Sequence, residues 1–236
     1  MSKELSLTHG SIVKSIVRFS IPFLLANVLQ GLYSNVDVMV VGNFCDKAAL
    51  SAVSTGGMIM MAVNALIMGL GDGVTVLIGQ YFGAGAKEDI KKSIGTAFTV
   101  FAIIAVFVMA ILQLCAKPIL DLMRTPEVAR EGAMAYTRIC YVGVLFTAGY
   151  NVTSGVLRGM GDSKRPLIFV AISCTLNIIL DVVFVGALHW GAGGAAAATS
   201  LAQAISFILS IVYLKRKDDF LFDYKLKSFK PYKDKI

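Results

Sequence analysis

The 236-residue chain is 56% hydrophobic and only 16% charged, with a mean hydropathy of +0.73, whereas a water-soluble domain carries roughly 25% charged residues. Lipid must therefore be the solvent for most of the chain. The formal net charge of +7 does not indicate a nucleic-acid partner, because no aromatic and basic residues interleave on a soluble module.

A spanning helix needs about 20 mostly apolar residues, and six such stretches follow one another. Residues 1–15 read as an amphipathic lead-in at the interface, with Leu5, Leu7 and Ile12 as apolar contacts. The six-helix region is expected over residues 16–214, and a basic linker over 215–236. The first span runs from Ile16 to Gly42 and is too long for a cleaved signal peptide. It contains Pro22, which removes a backbone donor and predicts a bend near Phe19 to Phe23. The second span, Ala48 to Phe82, holds Asp72 among Gly69, Gly71 and Gly73, then a GxxxG pair at Gly79 and Gly83. The third runs from Ser93 to Ala116. The fourth, Glu131 to Leu157, carries Arg138 and leads into a second small-residue pair, Gly155 and Gly159. The fifth runs from Pro166 to Leu188, and the sixth from Gly191 to Leu214, opening on a glycine and alanine run. Small residues at these spacings predict close helix packing in lipid. Cys45, Cys115, Cys140 and Cys174 show neither a CxxC pair nor metal-ligand spacing and read as packing residues.

Orientation follows from the bases. Assigned to alternate sides of the six spans, seventeen Lys and Arg fall on the side of the two termini and four on the other, and the one remaining base, Arg138, lies inside the fourth span. The rule that cytoplasmic loops carry the positive excess puts both termini in the cytoplasm. Arg158, Lys164 and Arg165 are counted there as loop residues, and Arg138 needs a polar partner or a wet cavity.

A carboxylate at the bilayer centre costs about 2.5 to 3.5 kcal/mol on insertion scales, so Asp37, Asp72 and Asp181 each need a purpose. Asp72 is close enough to the inner end to reach water. Asp37 and Asp181 both fall in the outer half of the bilayer. Asn177 precedes Asp181 by four residues and shares its helical face. Two carboxylates with the amide oxygen of Asn177 and the hydroxyl of Thr199 make a hard oxygen set that suits Na⁺, with Asp37, Asn177 and Asp181 at its centre. The same pair can instead share a proton. The residues leave these two open. Met58, Met60, Met61, Met68, Phe146 and Tyr150 form an adaptable apolar set for a cavity wall, with lipid-facing or core packing as the plainer role. No enzyme is indicated: neither His9 nor His189 sits mid-span, and GxSxG and HExxH are absent from the sequence. No cofactor is expected beyond a coupling ion.

PFLLANVLQGLYSNVDVMVVG followed by ALSAVSTGG resembles the opening of the multidrug and toxic compound extrusion (MATE) transporters. So do GLGDGVTVLIGQYFGAG, NVTSGVLRGMGDSKRP and LNIILDVVFVGALHWGAGGAAAATSLAQ, in order and with similar spacing from about residue 10 to 231. The resemblance implies an all-α membrane protein, a six-helix bundle forming one lobe of a twelve-helix, two-lobed antiporter. It implies export of cationic or amphipathic drugs against Na⁺ or H⁺, in the plasma (inner) membrane. Asp37, Asn151, Asn177, Asp181 and Thr199 match the family's cation-site positions, Gln30 and Tyr33 match polar positions of the lobe cavity, and Pro22 matches the helix-bend proline. Asp72 departs from the pattern. The tail resembles the linker toward a seventh helix, so the partner is expected to be a second lobe missing from this sequence, or a second copy in a homodimer. The competing expectations are a flippase for lipid-linked saccharides, which a strongly cationic lumen would favour, and a non-transporting assembly subunit.

Overall fold

A computed structural model describes residues 12–216, 222–223, 226–229 and 231–232. The lead-in contacts Leu5 and Leu7 lie outside the described residues, as do the side chains of Ile12 and Tyr33. Six helices, each long and apolar enough to cross a membrane, form the bundle: α1 Ile12–Phe44, α2 Lys47–Gly83, α3 Lys87–Leu122, α4 Glu127–Gly159, α5 Lys164–Asp181 and α6 Gly191–Arg216. Among the described residues there is no strand.

The helices overrun the apolar stretches at most ends. The third is expected over 93–116 but extends to Lys87 and Leu122, because polar residues at the interface continue the helical ladder once water can solvate them. Local chemistry sets several boundaries. The Asp46 carboxylate accepts from the Ala49 amide at 2.8 Å and caps α2. Asp162 likewise accepts from the Arg165 amide at 3.1 Å, just ahead of α5. Gly161, with φ +85°, supplies the left-handed turn between α4 and α5.

Successive helices alternate in direction, so α2, α4 and α6 run parallel and α1, α3 and α5 return. The central helix is α4, buried along most of its length. Its small residues explain its closeness to α2: a Cβ on Gly155 would stand 2.6 Å from the Gly71 carbonyl oxygen, and one on Gly159 would stand 2.8 Å from that of Thr75. Two backbones this close exclude any side chain between them. On its other side α4 meets α6, where a Cβ on Gly143 would touch the Ser200 hydroxyl. By contrast α1 is peripheral, with Ile21, Leu24, Leu25, Val28 and Leu32 exposed on one face and Pro22, Ala26, Asp37 and Val41 buried on the other.

After Asp181 the fifth span widens into a π-helical turn, Val182–Ala187. The Leu188 amide reaches back five residues to the Val183 carbonyl at 2.9 Å. Trp190 stacks on Phe184 of this turn with ring centroids 4.9 Å apart. Beyond α6, the turn Leu226–Phe229 lies on the N-terminal half of α3, where the Thr99 hydroxyl donates to the Phe229 carbonyl.

Candidate cation site and the adjoining polar pocket

Asp37 on α1 and Asp181 on α5 are 3% and 0% exposed, so neither carboxylate is solvated by bulk water. The polar neighbours of Asp37 are Asp181, Thr199 and Asn177. The Asn177 amide donates to Thr199 Oγ1 at 3.2 Å, and that hydroxyl donates to Asp37 Oδ2 at 2.8 Å. Thr199 is thus a relay, with its one proton committed to Asp37. Four buried oxygens remain without a hydrogen-bond donor: Asp37 Oδ1, Asn177 Oδ1 and both oxygens of Asp181. A carboxylate facing a carboxylate has no donor between them unless one carries a proton. Leaving such groups bare is expensive, so the cluster has the chemistry of a receptor for a small cation or a proton. Among the described residues no group of three His, Cys, Asp or Glu comes together, which leaves amide and hydroxyl oxygens to complete the set. The widened turn begins directly after Asp181, and π-turns recur at functional sites.

The fifth family-matched residue lies to one side. Asn151 on α4 is buried, its amide donating to the Thr147 carbonyl at 2.8 Å. It lines a neighbouring polar pocket toward the C-terminal end of α4, together with Asn27, Gln30, Tyr150, Asp72 and Arg158. Tyr150 is also fixed there, its hydroxyl donating to the Pro166 carbonyl at 3.0 Å. Of the apolar set, Met68 lines this pocket, Phe146 is half-buried and Met60 packs against the core. Met58 and Met61 are 64% and 76% exposed and point out of the lobe.

Two arginine assignments are corrected. Arg138 does not occupy a polar niche inside the bundle; it is exposed on the outer surface, where its long stem can snorkel to the interface. The arginine that is enclosed is Arg158, expected in a loop but placed in the last turn of α4 with its side chain 12% exposed. Its Nη2 meets Asp72 Oδ1 at 3.0 Å and its Nε donates to Thr75 Oγ1 at 3.3 Å. The guanidinium also stands 5.1 Å from the centroid of the Phe23 ring. Asp72, the charge without an assignment, is therefore the partner of Arg158. Sequence reasoning missed Arg158, Asn27 and Ser163 as pocket residues; the seven-residue spacing from Asn151 to Arg158, which keeps one helical face, was the available signal.

The six long apolar helices define a polytopic membrane protein with a buried oxygen cluster at its core. The chain belongs to the MatE family, whose model matches residues 22–183. It is 34% identical over 215 residues to the probable multidrug resistance protein YpnP of Bacillus subtilis, covering 90% of this chain and 48% of that protein. With YoeA of the same organism, also a probable multidrug resistance protein, it shares 33% identity over 93% of this chain and 48% of the relative. A crystal structure of MATE in the bent conformation superposes with a TM-score of 0.90 at 29% identity, over 99% of this chain and 52% of that one. A MOP superfamily transporter from Pyrococcus furiosus, described as having a binding pocket of reverse polarity, gives the same values. The chain spans about half the length of the relatives it matches.

Proposed function

We propose that this chain is the cation-binding lobe of a multidrug antiporter, in which Na⁺ or H⁺ entry at Asp37 and Asp181 drives export of cationic or amphipathic compounds. The observation that carries this reading is the cluster of four donor-less buried oxygens on Asp37, Asn177 and Asp181. Thr199 orients Asp37 within it, and Asn151 and Gln30 continue its polar surface. The names of the relatives support multidrug cargo; its cationic or amphipathic character is part of the proposal. In a two-lobed arrangement, cation and drug bind the lobe in competition, so each weakens the other by the same factor. Bending of α1 at Pro22 opens or closes the drug pocket. The second lobe comes from a further segment or a second copy, and the lobe sits in the plasma membrane with both termini cytoplasmic, as the excess of inner-side bases supports.

Trp190 is the one tryptophan of the sequence and reports directly on the turn that follows Asp181. In nanodiscs, its fluorescence should titrate with Na⁺ at constant ionic strength, or with H⁺ in Na⁺-free buffer. The response should vanish in the double variant Asp37→Asn, Asp181→Asn. No titration by either ion in the parent chain overturns the reading.

A further inference from the structure

The oxygen cluster and the polar pocket share the faces of two helices, α1 and α5, and α4 adds a third wall to the pocket. On α1, Phe23, Asn27 and Gln30 line the pocket, and Asp37 stands seven residues beyond Gln30; at about 100° per residue all four fall within a stripe about 80° wide. On α5, Pro166 and Val170 line the pocket and are followed on one face by the buried Cys174, Asn177 and Asp181. On α4, Asn151 and Arg158 are seven residues apart. The pocket and the cation site thus follow one another along one seam on the shared faces of α1 and α5.

Arg158 closes that seam at its inner end. Its guanidinium is enclosed, held by Asp72 and Thr75 of α2 and by the Phe23 ring of α1, so one side chain on α4 ties together α4, α2 and α1. The two members of the ion pair are unequally placed: the Arg158 side chain is 12% exposed and that of Asp72 is 56% exposed. The guanidinium is the more enclosed of the two, and the seam therefore faces the positive end of the pair. The free volume in the pocket is about 10 Å³, at the threshold for a single water. Ser163, nine-tenths buried or more, aims an unpartnered hydroxyl into it.

We propose that Arg158 is an electrostatic stopper at the inner mouth of this seam, keeping small cations from passing between the Asp37–Asp181 site and the inner side. A fixed guanidinium in a narrow polar passage is a barrier to cations. Asp72 both holds it in place and partly offsets its field. The inference rests on the cation-site reading above, but its test does not use that site.

Cys174 lies midway along the seam and is a native reporter. In the intact chain in nanodiscs, with Cys45, Cys115 and Cys140 replaced by serine, its modification is followed with Ag⁺, a small thiol-binding cation, and with neutral methyl methanethiosulfonate. Arg158→Gln should raise the Ag⁺ rate tenfold or more and change the neutral reagent's rate less than twofold. Arg158→Lys should behave as the parent. Asp72→Asn, at a half-exposed position that tolerates change, should slow Ag⁺ by exposing the full field of Arg158. Equal acceleration of both reagents in Arg158→Gln, or an Ag⁺ rate that moves in neither Arg158→Gln nor Asp72→Asn, overturns the proposal. A Trp190 response to cations that persists alongside either of those outcomes leaves the cation site standing; loss of that response in the parent chain removes the site instead.

Discussion

Replacing Asp181 by asparagine keeps the shape of the side chain and removes one of the two negative charges in the cation site. A monovalent cation seated between the carboxylates lies about 4 Å from each charge centre. At an effective dielectric of about 20 each carboxylate then contributes about 4 kcal/mol of attraction. The repulsion between the two acids is present with and without the cation and cancels from the comparison. Desolvation of the cation is common to both proteins. Losing one carboxylate should therefore weaken cation binding by about 4 kcal/mol, roughly a thousandfold in Kd. The high dielectric of bulk water would cut the same contribution to about 1 kcal/mol, but Asp181 is fully buried and Asp37 is 3% exposed. Na⁺ titration of Trp190 fluorescence in nanodiscs, with choline holding the ionic strength, measures the difference. A Kd within tenfold of the parent value would refute the reasoning, because it would mean that the two carboxylates do not share one ion.

Other perturbations separate packing from chemistry. Gly155→Leu should destabilise the bundle by about 1–3 kcal/mol in thermal unfolding, since the new Cβ would stand 2.6 Å from the Gly71 carbonyl oxygen. Gly57→Ala, on the same α2 that Gly155 packs against but with nothing within 4 Å, should be neutral or stabilising by up to about 1 kcal/mol, measured in the same melts. Tyr150→Phe removes the buried donor to the Pro166 carbonyl and should cost about 1 kcal/mol, with cation binding unchanged. Gly95→Ala places a Cβ against the Ser228 carbonyl and should release the Leu226–Phe229 turn from α3, seen as faster proteolysis beyond Arg216 with an unaltered melt.

Depth along a helix was legible in the sequence and direction around it was not. Apolar runs located all six spans, and the cost of burying a carboxylate singled out Asp37 and Asp181 before any packing was known. The arginines show the limit. Arg138 and Arg158 are twenty residues apart on α4, about 200° at 3.6 residues per turn, so they point to nearly opposite faces. A hydropathy profile registers that one is mid-span and the other terminal, and so placed the first inside and the second in water. The structure reverses both because α4 is central, with its end still packed on α2 when it reaches Arg158. Asp72 was ambiguous for the same reason: its partner is carried by a helix whose register against α2 is fixed by Gly155 and Gly159, and that register is a tertiary fact. The widened turn after Asp181 left no sequence signal, since VVFVGA satisfies an ordinary helical pattern as well.

All the oxygens of the cation cluster come from α1, α5 and α6. The surfaces that a drug-sized compound would need are placed differently. Met58 and Met61 of α2 and the apolar face of α1 are exposed on the lobe, and the polar pocket beside Arg158 has room for about one water. On the proposed reading the ion-binding oxygens are interior to this chain, whereas a cavity wall exists only where its open faces meet something else. The two activities should separate on this chain: cation binding complete in the lobe alone, and cargo binding gained only when the exposed α1 and α2 faces are covered by a second lobe.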